Sequence, residues 1–214
     1  MPALLRGLWV SIELIVPSII FGIIIGMLVG VLTVYGHPVM KRLAGMYVLV
    51  FRGFPLIVQL YILYFGLPYL GIFMTPFVAA VTGFSLCSGA YHAEYLRGAL
   101  QSIKIGQMQA ARALGFTKIR AVVLIILPQA IRHALPSCGN EFVYLIKYSS
   151  LAYMVTCLEL TGEGKVVASL SFRYTEVFLA VGALYLLVTS VATLALNRIE
   201  DYLSIPGFTK LNAQ

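Results

Sequence analysis

Glu141 and Lys147 are the side chains hardest to account for in this sequence, because both sit inside a largely apolar stretch, residues 121–160. A charge at that depth in an apolar medium costs several kcal/mol unless it is paired or faces a polar cavity. Two readings follow. The two groups neutralise each other or charges on other helices, or they face a central cavity, where an ammonium and a carboxylate would hold opposite ends of a zwitterion. Asn140, Tyr144 and Lys147 (i, i+4, i+7) share one helix face, and Glu141 lies beside it. Ser149 adds a hydroxyl close by. All five are candidate solute contacts.

Other reactive types carry less. Ser88 and His92 stand at i and i+4 and share a face, but no Gly-x-Ser-x-Gly elbow or oriented acid accompanies them, so a nucleophilic enzyme is disfavoured. Gly162-Glu163-Gly164-Lys165 is too short to be a phosphate loop, and no G-x-x-x-x-G-K-[ST] occurs anywhere in the chain. ATP is therefore not hydrolysed on this chain. Cys87, Cys138 and Cys157 have no CxxC or Cys/His spacing, and His92 and His133 lack partners at metal spacing. No metal site is expected. Arg52, Glu94 and Arg97 read as interfacial or interhelical charges near span ends.

The elements that must position these groups are membrane helices. The 214 residues are 60% hydrophobic and 11% charged, with a mean hydropathy of +0.94. That leaves too little polar surface for a water-soluble globule. The apolar residues fall into blocks of about 20, the length that spans a bilayer core as a helix. Blocks near 9–34, 43–67, 75–96, 121–160 and 176–196 predict an all-α polytopic protein with about five spans. The first is too long for a removable signal peptide. The fourth is too long for one straight span and, cut by Pro128, Pro136 and Gly139, predicts a broken helix with re-entrant pieces. Residues 161–174 read as a Gly-containing loop of mixed charge, and 197–214 as a polar tail. Gly22, Gly26 and Gly30 recur on one face of the first span, where another helix can approach closely.

A net charge of +7 comes from Lys and Arg concentrated in short segments between spans, so topology explains it better than nucleic-acid binding does. Placing Lys41, Arg42, residues 97–120, Arg198 and Lys210 in the cytoplasm leaves only Arg6, Lys165 and Arg173 outside. The N-terminus is then external and the C-terminus cytoplasmic. No internal repeat or low-complexity tract divides residues 1–214, which are taken as one domain.

The segment near 98–121 is basic yet has an apolar side. Within it runs Gln109-Ala110-Ala111-Arg112-Ala113-Leu114-Gly115, then nine residues, then Ile125-Ile126-Leu127-Pro128. Ala110, Ala111 and Leu114 would form a small apolar ridge able to seat in a groove on another protein, and Gly115 would end the helix. This pattern resembles the EAA loop of bacterial ABC importer permeases: Glu-Ala-Ala, three residues, Gly, nine residues, Ile, any residue, Leu-Pro. The resemblance narrows to the polar amino-acid uptake branch. Arg52-Gly53-Phe54-Pro55-Leu56 is similar to that branch's Arg-Gly-Thr-Pro-Leu, and Ala90-Tyr91-His92-Ala93-Glu94-Tyr95-Leu96-Arg97-Gly98 to its Ala-Tyr-x-Ala-Glu-x-x-Arg-Gly. Gln109 replaces the usual Glu, which removes a charge from the ridge, and Phe54 replaces a usual Thr.

The resemblance implies a type I ABC importer permease fold in a bacterial inner membrane. It implies a permease half for polar amino acids, with Gln109, Ala110, Ala111, Leu114 and Gly115 docking an ATP-binding subunit dimer. It also implies a second permease subunit, identical or paralogous, and a periplasmic amino-acid-binding protein, with ATP and Mg held by the ATPase. An ion-coupled secondary transporter is the competing class, with Glu141 and Lys147 as coupling groups; the absence of an inverted repeat and the intact EAA spacing weigh against it.

Overall fold

A computed structural model describes residues 2–203, so Lys210 lies outside the described residues. Helix α1 (Pro2–Tyr35) runs for 34 residues straight through Pro17. Its hydroxyls stay inside the helix: Ser11, Ser18 and Thr33 donate to the carbonyls of Gly7, Leu14 and Val29. Such back-bonding satisfies polar atoms where water is scarce.

Helix α2 (Pro38–Gly53) ends at Phe54-Pro55, and α3 (Leu56–Tyr61) leaves at 102° to it. A bend that sharp strands carbonyls. Gln59 meets the need, its Nε2 donating to the carbonyls of Phe51 and Phe54, each at 2.9 Å. The chain then widens into a π-turn at Ile62–Gly66, tightens to a 3-10 turn at Leu67–Leu70 and reverses at Gly71, whose φ of 79° suits glycine.

Helix α4 (Pro76–Ser102) starts at Thr75, whose hydroxyl accepts the Val78 N–H. It is the centre of the bundle. Gly22, Gly26 and Gly30 of α1 lie against its Ser88, His92 and Ala93, where added Cβ atoms would collide. Two short helices follow, α5 (Ile105–Ala113) and α6 (Lys118–Ala121), then a π-turn (Val122–Ile126) leading into α7 (Leu127–Tyr148).

Two expectations about this half need correction. Pro136 and Gly139 do not break the fourth span: α7 passes through both, with Ala134, Gly139 and Leu145 buried on either side. Packing there outweighs the one hydrogen bond that proline removes. The irregularities fall at its ends, in the π-turn before Pro128 and in a 3-10 stretch, Ser149–Val155. Likewise residues 161–174 are mostly not a loop. Helix α8 (Leu160–Ser171) occupies them, capped by Glu159. Its glycines serve close packing: a Cβ on Gly164 would stand 2.7 Å from Val181, and one on Gly162 3.0 Å from the Tyr153 ring.

Helix α9 (Tyr174–Leu203) closes the described chain and continues well past residue 196. Among the described residues there is no strand. Three helical stretches are long and apolar enough to cross a membrane, 2–35, 118–155 and 174–203, and the bent α2–α3 pair makes a fourth. Helix α4 has the length, but its buried side carries Ser85, Ser88 and His92.

Candidate functional site

The exposed face of α7 carries Asn140, Tyr144 and Lys147 in line, as their spacing requires. The Lys147 ammonium sits 4.3 Å from the centroid of the Tyr144 ring, which stacks on Tyr148 at 6.0 Å. Glu141 does not join them. It is 3% exposed and turned into the bundle, on the side of α7 that buries Gly139, Leu145 and Ile146. Six residues of helix put two side chains on well-separated faces, and no ion pair links Glu141 to Lys147 among the described residues. Ser149 also points inward, its hydroxyl donating to the Ile146 carbonyl at 2.7 Å.

Arg52, at the end of α2, bonds Glu94 of α4 at 3.3 Å and lies 5.0 Å over the Tyr91 ring. Arg97 holds the same carboxylate in a bidentate grip, both bonds 2.8 Å. This network ties the bend between α2 and α3 to α4. Ser88 and His92 are both buried against the α1 glycines. His92 Nδ1 lies 2.7 Å from the Ser88 carbonyl, which only an N–H can approach so closely, so this nitrogen is no base for the Ser88 hydroxyl.

Beside Lys147 an open groove of about 350 Å³ runs between α7, α8 and α9, lined by Ser150, Thr161, Phe178, Val181 and Tyr185. Behind its wall is a group that sequence reasoning passed over. Glu159 has no exposed surface, accepts the N–H groups of Thr161 (2.9 Å) and Gly162 (3.0 Å), and takes the Tyr185 hydroxyl at 2.9 Å. Nearer the N-terminus of α1, Arg6 donates to Glu163 from Nε and Nη2, at 3.0 and 2.6 Å. Capping spacing was the available signal for Glu159, an acid just ahead of a helix start.

At the other end of α4, the segment 103–121 presents a second surface. Ala110 and Gln109 are exposed and Leu114 is 77% exposed, while Ala111 turns inward at 2%. The ridge that the chain offers therefore consists of Ala110 and Leu114, extended by exposed Ile105 and Ile119. Gly115 (φ 83°) closes α5: its N–H meets the Arg112 carbonyl and the Phe116 N–H that of Ala111. These two bonds make a Schellman end. Met108 and Ile103 pack on a buried cluster of Leu96, Leu100, Ile126 and Ala130, and Lys118 donates to the Tyr35 carbonyl at 3.1 Å. The segment is thus fastened to α1, α4 and the start of α7.

No group of three or more His, Cys, Asp or Glu residues able to hold a metal occurs among the described residues. The described residues thus form a helical bundle with an exposed apolar knuckle on a short connecting helix. Residues 19–204 match the family described as "Binding-protein-dependent transport system inner membrane component", and the chain belongs to that family. It is 38% identical over 208 residues to the probable amino-acid permease protein YxeN of Bacillus subtilis (strain 168), covering 96% of this chain and 93% of that one. To the glutamine transport system permease protein GlnP of Escherichia coli (strain K12) it is 35% identical over 210 residues, covering 95% and 94%. The crystal structure of an amino acid ABC transporter with histidines superposes with a TM-score of 0.86 at 32% identity, over 94% of each chain. A MetNI methionine ABC transporter structure shares the fold at TM-score 0.82 and 24% identity. The fold is the type I ABC importer permease fold, and the protein is a multi-pass, non-catalytic permease subunit.

Proposed function

We propose that this chain forms half of the translocation pathway for a polar amino acid in a bacterial inner membrane, working by alternating access that a separate ATPase drives. The observation that carries the reading is the exposed apolar knuckle of Ala110, Leu114, Ile105 and Ile119 on a segment fastened to three helices. Apolar residues so exposed on a basic loop gain from a covering partner. An ATP-binding dimer gripping them would move α4 and α7 as levers, with ATP and Mg on the dimer. A second permease copy or paralogue completes the pathway, and a periplasmic binding protein delivers the solute. Gln109, level with the knuckle, offers a neutral amide to that partner.

The solute reading assigns the exposed α7 face of Asn140, Tyr144 and Lys147 to the pathway, with Glu141 and Ser149 behind it. The distribution of Lys and Arg supports an external N-terminus and a cytoplasmic C-terminus. Cysteines at positions 110 and 114 should crosslink to the ATPase, and amino-acid uptake into vesicles should require ATP. Uptake that persists without ATP and follows the proton gradient would instead establish the ion-coupled class.

A further inference from the structure

Lys41 and Arg42, at the start of α2, are exposed, and neither joins an ion pair among the described residues. Only Gly36 and His37 separate their helix from the end of α1. There Lys118 arrives from the knuckle-bearing segment, its ammonium donating to the Tyr35 carbonyl at 3.1 Å and lying 5.9 Å from the centroid of the Tyr35 ring. That ammonium keeps two further N–H donors, and neither Lys41 nor Arg42 gives a side-chain donor to any described residue. Cations gathered at one turn with no carboxylate bonded to them repel each other and attract an anion.

The face of α2 that leads away from this turn is apolar. Val39, Leu43, Met46 and Val50 stand at i, i+4, i+7 and i+11 on one side of the helix and are all exposed, while Ala44 and Val48 are buried on the other side. The stripe is about 16 Å long at 1.5 Å per residue, close to half of a hydrocarbon core of about 30 Å. A cationic head above an apolar stripe one leaflet long has the form of a phospholipid bearing a phosphate and no ammonium. Choline and ethanolamine headgroups bring a cation of their own, which Lys41 and Arg42 would repel. A soluble protein could match the charges but not the stripe.

We propose that an anionic phospholipid of the cytoplasmic leaflet seats its phosphate among Lys41, Arg42 and Lys118, lays an acyl chain along the α2 stripe, and so braces the knuckle-bearing segment against the α1–α2 turn. The proposal rests on the reading of the chain as an amino-acid permease with this end in the cytoplasm. Its test uses the complete complex of this chain with its partner permease, ATPase and binding protein. Lipid retained through purification is counted by mass spectrometry after reconstitution in equal parts phosphatidylcholine and phosphatidylglycerol. ATP-driven uptake of radiolabelled amino acids is compared between that mixture and phosphatidylcholine alone. The wild type should retain phosphatidylglycerol in preference and transport faster where it is present. Arg42→Gln and Lys118→Gln should each weaken retention about fivefold, the effect of one Lys or Arg at an anionic surface. Lys104→Gln, which removes an exposed cation ahead of α5, should leave retention unchanged. If Lys118→Gln does not assemble, Arg42→Gln carries the test alone. Equal retention of the two lipids, or unchanged retention in Arg42→Gln, overturns the proposal. So does restoration of uptake in phosphatidylcholine by inorganic phosphate, which would mark a site for the free anion, and so does loss of the ATPase from the variants in both membranes, which would assign the cations to that subunit. Preferred retention of phosphatidylglycerol without uptake of any amino acid would sink the permease reading alone.

Discussion

Gly26 of α1 faces His92 of α4 so closely that a methyl group on Gly26 would collide with the His92 Cβ, and it would also stand 3.1 Å from the backbone nitrogen of Ala93. Neither neighbour can swing aside, since one is the root of a side chain and the other is main chain. Gly98 is a glycine of α4 with nothing within 4 Å of an added Cβ. The same substitution should therefore act in opposite directions. Gly26→Ala should cost about 1–3 kcal/mol through overpacking, and Gly98→Ala should gain up to about 1 kcal/mol of helix propensity. Thermal unfolding of the purified protein in detergent checks both, and equal effects would refute the interlocked α1–α4 contact.

Gln59→Leu removes the donors that satisfy the Phe51 and Phe54 carbonyls at the 102° bend. These acceptors are only partly buried, so losing their donor costs about 1 kcal/mol, the net value of a typical hydrogen bond. The variant should unfold at lower temperature, and trypsin should cut after Arg52 sooner than in the wild type. Unaltered proteolysis would mean that the bend holds without its amide.

Gly115→Ala places a side chain at φ 83°, a left-handed backbone that costs an L-residue about 1–2 kcal/mol. Gly115→Asn should be milder, since asparagine tolerates this region best. ATP-dependent uptake should fall in the order glycine, asparagine, alanine. The amount of permease in the membrane should stay level, because the strain sits at the exposed end of α5.

Glu159→Ala strands three donors, the N–H groups of Thr161 and Gly162 and the Tyr185 hydroxyl, in a site with no exposure. Each buried orphan costs about 1–3 kcal/mol, so the alanine variant should fail to accumulate. Glu159→Gln retains one acceptor oxygen and should accumulate at reduced yield. Equal yields of the two variants would show that Glu159 does not hold α8.

The first and last spans and the short-helix segment between α4 and α7 were legible because each signal is local. Apolar blocks of bilayer length mark α1 and α9, and the Gln109 to Pro128 spacing sits in one continuous stretch. Helix α8 was hidden by Gly162 and Gly164, which read as loop residues until Tyr153 and Val181 fill the space that they leave. Glu159 escaped notice for a related reason. Of the groups that tie it down, Thr161 and Gly162 are neighbours, but Tyr185 lies 26 residues away and Ser11, which holds the adjoining Leu160, is 149 residues from that residue. The orientation of Glu141 was equally out of reach, since helix spacing sets it apart from Lys147 but only packing against α4 decides which of the two is buried.

The π-turn at Val122–Ile126 has a mechanical meaning. Its Leu127 N–H reaches back five residues to Val122, so the turn holds slack that an α-helix lacks, and Pro128 just beyond has no N–H to draw that slack in. It stands where the knuckle-bearing segment passes into the helix that carries Asn140, Tyr144 and Lys147. The segment and that helix are thus joined through a turn wider than an α-helical one rather than along an unbroken α-helical ladder.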